Sequence, residues 1–283
     1  MSEPLTVRAR LAAPVDAVRH ALIDPAELRI WLAEHAEVEL PHRYEFWGRY
    51  TPEGDAPHQR LLHADEQGLR FAWLLDGVET TTEFALAPEG DSTVLTLRQS
   101  HYDFAEAMSG SSIRGVLQTF WALSIANLAA RVEGMPLLPR TDFTSTELRA
   151  ELTIAAAMDR VWTSLTDSEQ ASAWFGYPIG IEPWVGGRYA MGGFETGYAA
   201  KVVDLDPGRK ISVDWGPVGV STWELAESDG KTKLTLVQSG FDEGNPPYAA
   251  WCGNVSGLFE LRRFHEMADW QPIWLAAELP TGA

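Results

Sequence analysis

The sequence predicts an α+β protein made of two tandem copies of one fold, each a curved antiparallel sheet wrapped around a long C-terminal helix. Three observations lead to this fold class. The strand-like motif LTLRQS, which begins at Leu95, returns as LTLVQS at Leu234. The residues around Trp31 return around Trp174 in the same order, and each half closes with a long helical pattern. A repeat of half the chain is far longer than the ~20–50 residues of a solenoid unit, so it indicates two domains.

The expected domain boundaries follow from this repeat. The chain of 283 residues has the length of about two domains. We expect the first domain at residues 1–134 and the second at residues 147–272. Residues 135–146 carry two prolines and separate the repeats, so we expect a linker there. Residues 273–283 are expected to form a loose tail.

Each domain is expected to open with a half-buried strand, because LTVRARLA and its counterpart LRAELTIA alternate apolar and polar residues. A helix follows each strand. Asp24 and Asp167 then break that helix and cap a second, short helix. The short helices end at Trp31 and Trp174, and we assign both of these tryptophans to the structural core.

The middle of each half predicts several antiparallel strands, because glycine- and aromatic-rich segments such as GRYAMGGFETGYAAKVV alternate in polarity. Residues 112–134 and 248–270 then form the two long helical patterns. A long amphipathic helix that follows a curved sheet packs across its concave face. The space between sheet and helix then becomes a cavity.

The composition argues against several classes of protein. Lys and Arg number 22 against 40 Asp and Glu, which gives a formal net charge of −18. Nucleic acids and anionic membranes both require a basic face, so neither is an expected partner. A single cysteine allows no disulfide within the chain, and no apolar run approaches a membrane span. The N-terminal residues lack the apolar core of a signal peptide, so we expect a cytoplasmic protein.

The second half carries a specific series of motifs. They are V-W-x-x-L-T-D, W-F, V-G-G-R-Y, V-x-x-L-D-P-x-R-K-I and T-K-L-T-L-x-Q-S-G-F, followed by a tryptophan that opens the last helix. The series resembles the activator-of-Hsp90-ATPase-like branch of the START/Bet v 1 (SRPBCC) helix-grip superfamily. The residues concerned are Val161, Trp162, Leu165, Thr166, Asp167, Trp174, Phe175, 185–189, 202–211, 232–241 and Trp251. The first half matches more loosely, with PHRY in place of V-G-G-R-Y and Q-S-H-Y in place of Q-S-G-F.

This resemblance implies two tandem helix-grip domains, each with an apolar cavity. Most members of the superfamily bind hydrophobic small molecules, and a minority catalyse reactions on them. Because one fold supports many functions, the fold alone does not decide between binding and catalysis.

The sequence offers no recognisable cofactor or metal motif. It contains neither a phosphate-binding G-x-x-x-x-G-K-[ST] nor a zinc-binding H-E-x-x-H. The glycine-rich segment GGRYAMGGFETG is interpreted as a twisted, bulged hairpin. Cys252 lies in a predicted helix and is interpreted as a small packed residue. We therefore expect no cofactor and no metal.

The weak catalytic candidates are His101 and Asp103. His101 follows Gln99 and Ser100 where the family motif has glycine, and Tyr102 lies between the two candidates. A histidine near its usual pKa exchanges protons at neutral pH, so His101 could act at the mouth of a pocket. We favour the alternative that it is a solvated loop residue.

Two glutamines and a set of aromatic residues are the candidate ligand-binding residues. Gln99 and Gln238 share strand faces with alternating leucines, so both are expected to point into a cavity, where each needs a polar partner. The sequence leaves open whether that partner is a ligand or a neighbouring loop. The apolar candidates are Trp73, Trp121, Tyr189, Met191, Phe194, Trp215, Trp223, Phe241 and Trp251. Eight of the twelve tryptophans lie in the second half, which favours the second cavity as the active one.

Three functions remain open at this point. The favoured hypothesis is non-catalytic binding of a hydrophobic or aromatic small molecule. The resemblance suggests a polyketide or enediyne-type natural product, bound in biosynthesis or in self-resistance. The first alternative is a polyketide aromatase/cyclase-like enzyme that uses His101, Asp103 and Tyr102, or Glu195 with Tyr198. The second is a protein-binding module that activates a chaperone ATPase. The sequence leaves the oligomeric state open, with a homodimer as one alternative.

Overall fold

A computed structural model describes residues 4–101, 112–196 and 199–276 of the chain. The chain forms two compact units, residues 1–145 with 273–283 and residues 146–272. Within the described residues, each unit combines antiparallel strands with two short α-helices and one long α-helix. The α+β fold class predicted from the sequence is confirmed.

In the first unit, a five-stranded sheet has the strand order β1-β7-β6-β5-β4, and β2 pairs with β3 in a separate hairpin. The long helix is α3. The elements are β1 (Leu5–Leu11), α1 (Val15–Ile23), α2 (Pro25–Trp31), β2 (His35–Glu39), β3 (Arg43–Trp47), β4 (Gln59–Ala64), β5 (Gly68–Leu75), β6 (Val78–Glu89), β7 (Ser92–Gln99) and α3 (Ile113–Val132).

In the second unit, all seven strands join one sheet in the order β8-β14-β13-β12-β11-β10-β9. The long helix is α6. The elements are β8 (Leu148–Ile154), α4 (Met158–Thr166), α5 (Ser168–Phe175), β9 (Ile179–Ile181), β10 (Arg188–Met191), β11 (Ala200–Asp206), β12 (Lys210–Asp214), β13 (Val220–Ser228), β14 (Lys231–Ser239) and α6 (Tyr248–Glu266). Two short 3₁₀ turns, Phe194–Thr196 and Gly216–Val218, lie between strands.

The two glutamines lie on buried strand faces, as the alternation of residues predicts. Gln99 is fully buried on the same face of β7 as the two leucines before it, and Gln238 is 3 % exposed on β14. Antiparallel pairing places Thr82 opposite Gln99 and Ser221 opposite Gln238. A hydroxyl therefore faces each buried amide across one pair of strands.

The sequence predicts a linker at residues 135–146, but residues 135–145 belong to the first unit. The side chain of Asn127 on α3 accepts from the Leu138 amide at 2.8 Å and donates to the Leu138 carbonyl at 3.3 Å. The guanidinium of Arg140 donates to the Ala33 carbonyl at 2.7 Å. Prolines disfavour a regular element here, but the buried side chain of Asn127 satisfies both backbone groups of Leu138. Composition alone therefore misidentified an ordered segment as a linker.

The segment after Pro272 also differs from the expected loose tail. The amide of Arg10 donates to the Ile273 carbonyl at 2.7 Å, and the amide of Leu275 donates to the Arg8 carbonyl at 2.9 Å. Ile273 is only 2 % exposed. Because β1 is the edge strand of its sheet, these residues cover backbone groups that would otherwise lie open for pairing.

The last turn of α6 buries His265. Both ring nitrogens are buried and have no hydrogen-bond partner among the residues that the structure describes. Burial, and to a lesser extent the nearby positive charge of Arg160, lower the pKa of His265 to about 4. The unfolded chain should have the ordinary histidine pKa of about 6.5, so the folded protein holds this ring neutral over a pH range where the unfolded chain binds a proton.

The stability of the protein should therefore fall as the pH decreases from about 6.5 to about 4. In this window the unfolded state binds the proton and the folded state excludes it, which favours unfolding. Replacing His265 with leucine should flatten this part of the pH profile. Urea unfolding between pH 7.5 and 4 measures the effect, with His42→Leu at an exposed position as the control. Parallel profiles for the wild type and His265→Leu would contradict this assignment.

Candidate functional site

The two long helices can be matched residue by residue through one shared contact. The carboxylate of Glu133 accepts from the Ala12 amide at 3.0 Å, and that of Glu266 accepts from the Ala155 amide at 2.8 Å. Counting back from these glutamates, Phe120 and Trp121 on α3 correspond to Gly253 and Asn254 on α6. The two units therefore differ at the positions where the helix faces the glutamine network.

Aromatic rings fill the interior of the first unit. The ring of Trp121 lies 5.9 Å from that of Trp73 and 5.4 Å from that of Phe84, centroid to centroid, and Phe120 contacts both tryptophans. Every member of this cluster is at most 3 % exposed: Tyr44, Phe46, Phe71, Trp73, Phe84, Phe120 and Trp121. A void beside Phe120 measures only about 10 Å³, room for one water at most.

The amide of Gln99 is fully satisfied by protein groups. Its Oε1 accepts from the Thr82 hydroxyl at 2.6 Å and from the Trp121 indole at 3.2 Å. Its Nε2 donates to the Thr80 hydroxyl at 3.2 Å and to the Ser100 carbonyl at 2.9 Å. These contacts use both lone pairs and both protons of the amide. In the first unit, the partner that this glutamine needs is supplied by the protein.

The second unit lacks the two rings that fill the first. Gly253 and Asn254 replace the phenylalanine–tryptophan pair, and the remaining rings of the cluster are Tyr189, Trp215 and Trp223. Tyr189 and Trp223 stack with centroids 6.3 Å apart and planes within 9°, and Trp215 meets Tyr189 edge-on at 5.5 Å. Tyr189 and Trp223 are 7 % and 8 % exposed. Their counterparts in the first unit, Tyr44 and Phe84, are each 1 % exposed.

The glutamine network persists in the second unit with a different helix donor. Oε1 of Gln238 accepts from the Ser221 hydroxyl at 2.6 Å, and Nε2 donates to the Val218 carbonyl at 2.8 Å. The Trp215 indole donates to Ser221 Oγ at 3.0 Å. Nδ2 of Asn254 reaches Ser221 Oγ at 3.1 Å and Gln238 Oε1 at 3.4 Å. Asn254 thus takes the place that Trp121 holds in the first unit.

The two equivalent tyrosines differ in their hydroxyl contacts. The hydroxyl of Tyr44 donates to the Leu22 carbonyl at 3.1 Å, whereas no described residue accepts from the hydroxyl of Tyr189. Burial raises the pKa of Tyr189 well above that of an ordinary tyrosine. Its phenol therefore stays neutral at physiological pH and remains a hydrogen-bond donor.

The other candidate ligand-binding residues of the second unit lie in different places relative to the interior. Met191 shares the inward face of β10 with Tyr189, and Trp251 is buried on α6. Phe241 is half-buried after β14. The position of Phe194 differs from the one expected for a cavity residue. Its ring covers Gly180 and lies 4.2 Å beneath the Arg188 guanidinium. These contacts lie on the face of the β9–β10 hairpin opposite to Tyr189, so Phe194 does not line the interior.

His101 occupies a left-handed backbone position. Its φ is +64°, and the matching residue of the second repeat, Gly240, has a φ of +72°. Its Nε2 is buried without a partner among the described residues. Glycine adopts this geometry without strain, as Gly240 does in the second repeat. Tyr102, Asp103 and Tyr198 lie outside the described residues, and Glu195 is exposed on a 3₁₀ turn.

Replacing His101 with glycine should raise the free energy of unfolding by roughly 1 kcal/mol, because glycine adopts a positive φ without steric cost. Urea unfolding measures this difference. Gly240→Ala is the matched control and should lower the free energy by a similar amount. The nearest atom to the added methyl group is Val220 Cγ2 at 4.0 Å, so only backbone strain is added. A loss of stability in His101→Gly would show that the imidazole ring holds this loop.

Within the described ranges, no group of three or more His, Cys, Asp or Glu side chains is arranged to hold a metal ion. The single cysteine, Cys252, is buried on α6. None of the helices in the described part of the chain combines the length and hydropathy that a membrane-spanning helix requires.

The family model for "Activator of Hsp90 ATPase homolog 1-like protein" matches residues 155–253. The family resemblance predicted for the second half is thereby confirmed. A search of curated proteins finds no match. The matched stretch contains Tyr189, Trp215 and Trp223, so these three aromatic residues lie inside the family domain.

Several solved structures are also similar to the chain. DynU16, from the dynemicin biosynthetic locus, is 17% identical over 94% of this chain and 100% of its own, with a TM-score of 0.40. CalU16 from Micromonospora echinospora is 24% identical over 47% of this chain and 76% of its own, with a TM-score of 0.37. EF2215 from Enterococcus faecalis is 22% identical over 44% of this chain and 74% of its own, also with a TM-score of 0.37. Similarity at this level does not indicate a function for the chain.

Proposed function

We propose that the second unit binds a hydrophobic, aromatic small molecule between its sheet and α6, without chemical turnover. One observation carries this proposal. The glutamine network is kept in both units, while the Phe120–Trp121 pair that fills the first interior becomes Gly253–Asn254 in the second. The absence of two large aromatic side chains at these helix positions would leave apolar volume beside the rings that remain in place.

The residues around that volume are suited to binding more than to acid–base chemistry. The network consists of an indole, a hydroxyl and two carboxamides, from Trp215, Ser221, Gln238 and Asn254. None of these groups exchanges protons near neutral pH, and the phenol of Tyr189 has a raised pKa. Stacked aromatic rings and a few placed polar groups are typical of sites that hold and orient a ligand.

We also propose a chemical class for the ligand. A polyketide or enediyne-type natural product would supply the flat apolar surface that Tyr189 and Trp223 can cover. The protein would then act in the cytoplasm, in biosynthesis-associated binding or in self-resistance. The net charge of −18 supports a neutral ligand over nucleic acid or an anionic membrane. The first unit would serve as a scaffold, because aromatic rings already fill its interior.

A fluorescence titration tests the proposal. N-phenyl-1-naphthylamine, a neutral aromatic probe, should bind with saturable enhancement of its emission and quenching of tryptophan. Asn254→Trp should remove this binding, and the matched control Gln118→Trp, which adds the same side chain at an exposed position of α3, should not. Equal binding by the wild type and Asn254→Trp would contradict the proposed site. Conversion of an aromatic polyketide in a parallel assay would instead indicate an enzyme.

A further inference from the structure

We infer that the pocket of the second unit selects neutral aromatic ligands that donate a hydrogen bond, such as phenols, to Oδ1 of Asn254. This inference rests on the proposed function and adds the class of ligand. It follows from the direction of each hydrogen bond in the network, which can be traced from a backbone carbonyl to the pocket.

The chain of hydrogen bonds begins at the carbonyl of Val218. A carbonyl only accepts, so the Gln238 atom at 2.8 Å must be its Nε2. The orientation of the Gln238 amide is thereby fixed, and its Oε1 faces the hydroxyl of Ser221 at 2.6 Å. Since Oε1 cannot donate, the hydroxyl proton of Ser221 points to it.

The orientation of Asn254 follows from these two acceptors. The lone pairs of Ser221 Oγ receive the Trp215 indole at 3.0 Å, and its proton is already committed to Gln238. The Asn254 atom that lies 3.1 Å from Ser221 Oγ and 3.4 Å from Gln238 Oε1 must therefore be a donor, its Nδ2. The amide cannot flip without placing oxygen against oxygen. Its Oδ1 is left without a hydrogen-bond partner in the part of the chain that the structure describes.

A comparison of Trp121 with Asn254 shows how the two residues differ in the hydrogen bonds that they can make. Trp121 supplies the same donor to Gln99, but an indole has no acceptor and its ring fills the space. Asn254 supplies the donor, opens the space and adds one acceptor. An apolar ligand would leave that acceptor desolvated and unpaired, which weakens its binding relative to a ligand that carries a donor.

Charge narrows the ligand class further. No residue of the network or of the three-ring cluster is ionised, so a charged ligand of either sign would lose its hydration without gaining a counter-charge there. A carboxylate ligand would meet the Asn254 oxygen with no positive partner to compensate for its desolvation. A phenol satisfies the acceptor, remains neutral at pH 7 and presents an aromatic face to Tyr189 and Trp223.

A ring-matched series tests this selectivity. Tryptophan fluorescence titrations would compare 1-naphthol, 1-methoxynaphthalene and 1-naphthoate on the wild type and on Asn254→Leu. We expect 1-naphthol to bind the wild type about tenfold more tightly than its methyl ether, which corresponds to about 1.4 kcal/mol. The naphthoate should bind most weakly. In Asn254→Leu, which has a similar size and no acceptor, the ratio between naphthol and its ether should fall to near one.

The outcomes separate this inference from the proposed function. Equal affinity of 1-naphthol and 1-methoxynaphthalene for the wild type would overturn the inference while leaving a binding pocket in place. Tighter binding of the naphthoate would overturn it as well. Binding of none of the three would contradict the proposed function itself. The comparison within the wild type needs no variant, so it stays decisive if Asn254→Leu does not fold.

Discussion

Replacing Gly253 and Asn254 with phenylalanine and tryptophan should abolish binding of aromatic ligands while the protein remains folded. These are the residues at the same positions of α3, where the rings of Phe120 and Trp121 pack at 4.9 Å and fill the interior. The new tryptophan indole can donate to Gln238 as Trp121 donates to Gln99, so the glutamine keeps a helix donor. A loss of at least a hundredfold in affinity is expected, because the ligand and the two rings compete for one volume.

This double variant is measured by titration with N-phenyl-1-naphthylamine beside a test of folding. Its circular dichroism should match the wild type, and any cost of overpacking should stay within about 1–3 kcal/mol. Trp introduced at exposed Gln118 on α3 controls for the added fluorophore. A folded double variant that still binds the ligand normally would place the binding site elsewhere.

Replacing Trp121 with alanine should lower the free energy of unfolding of the first unit by about 3–5 kcal/mol. Trp121 is fully buried, contacts the rings of Trp73, Phe84 and Phe120, and donates to Gln99. Its removal takes away apolar contacts and leaves a cavity among groups that cannot collapse freely. This is the largest stability effect that we expect from a single substitution in the molecule.

The matched control is Asn254→Ala, at the equivalent position of α6. It removes hydrogen bonds at 3.1 and 3.4 Å and little apolar surface, so a loss of about 1 kcal/mol is expected. Two-unit proteins need not unfold in a single step, so the two variants should be compared by calorimetry and by denaturant titration. Equal losses in both variants would mean that the interiors of the two units are filled to the same extent.

Local patterns in the sequence were sufficient to predict the fold class and the direction of the glutamines. Strand alternation determines the face of a residue, which is why Gln99 and Gln238 lie inward as predicted. Asp24 accepts from two amides at the start of α2, so its predicted role as a cap is confirmed. The indoles of Trp31 and Trp174 donate to carbonyls of the preceding helices at 2.9 and 2.8 Å, which agrees with a structural role.

Other features depend on contacts that no local pattern encodes. No local pattern marks Asn254, because its role appears only when α6 is aligned with α3 through Glu266 and Glu133. The repeat contained that signal, since both helices lie within the duplicated pattern. Phe194 lies away from its predicted place because Gly180, which has no side chain, leaves room for its ring on that face of the hairpin.

The most direct test of this account is the number of ligands bound per chain. Native mass spectrometry with saturating 1-naphthol should show one ligand on the wild-type chain. It should show none on the variant that carries both Gly253→Phe and Asn254→Trp. Two ligands per chain would contradict the conclusion that aromatic rings close the first interior. One ligand retained on the double variant would contradict the assignment of the site to the second unit.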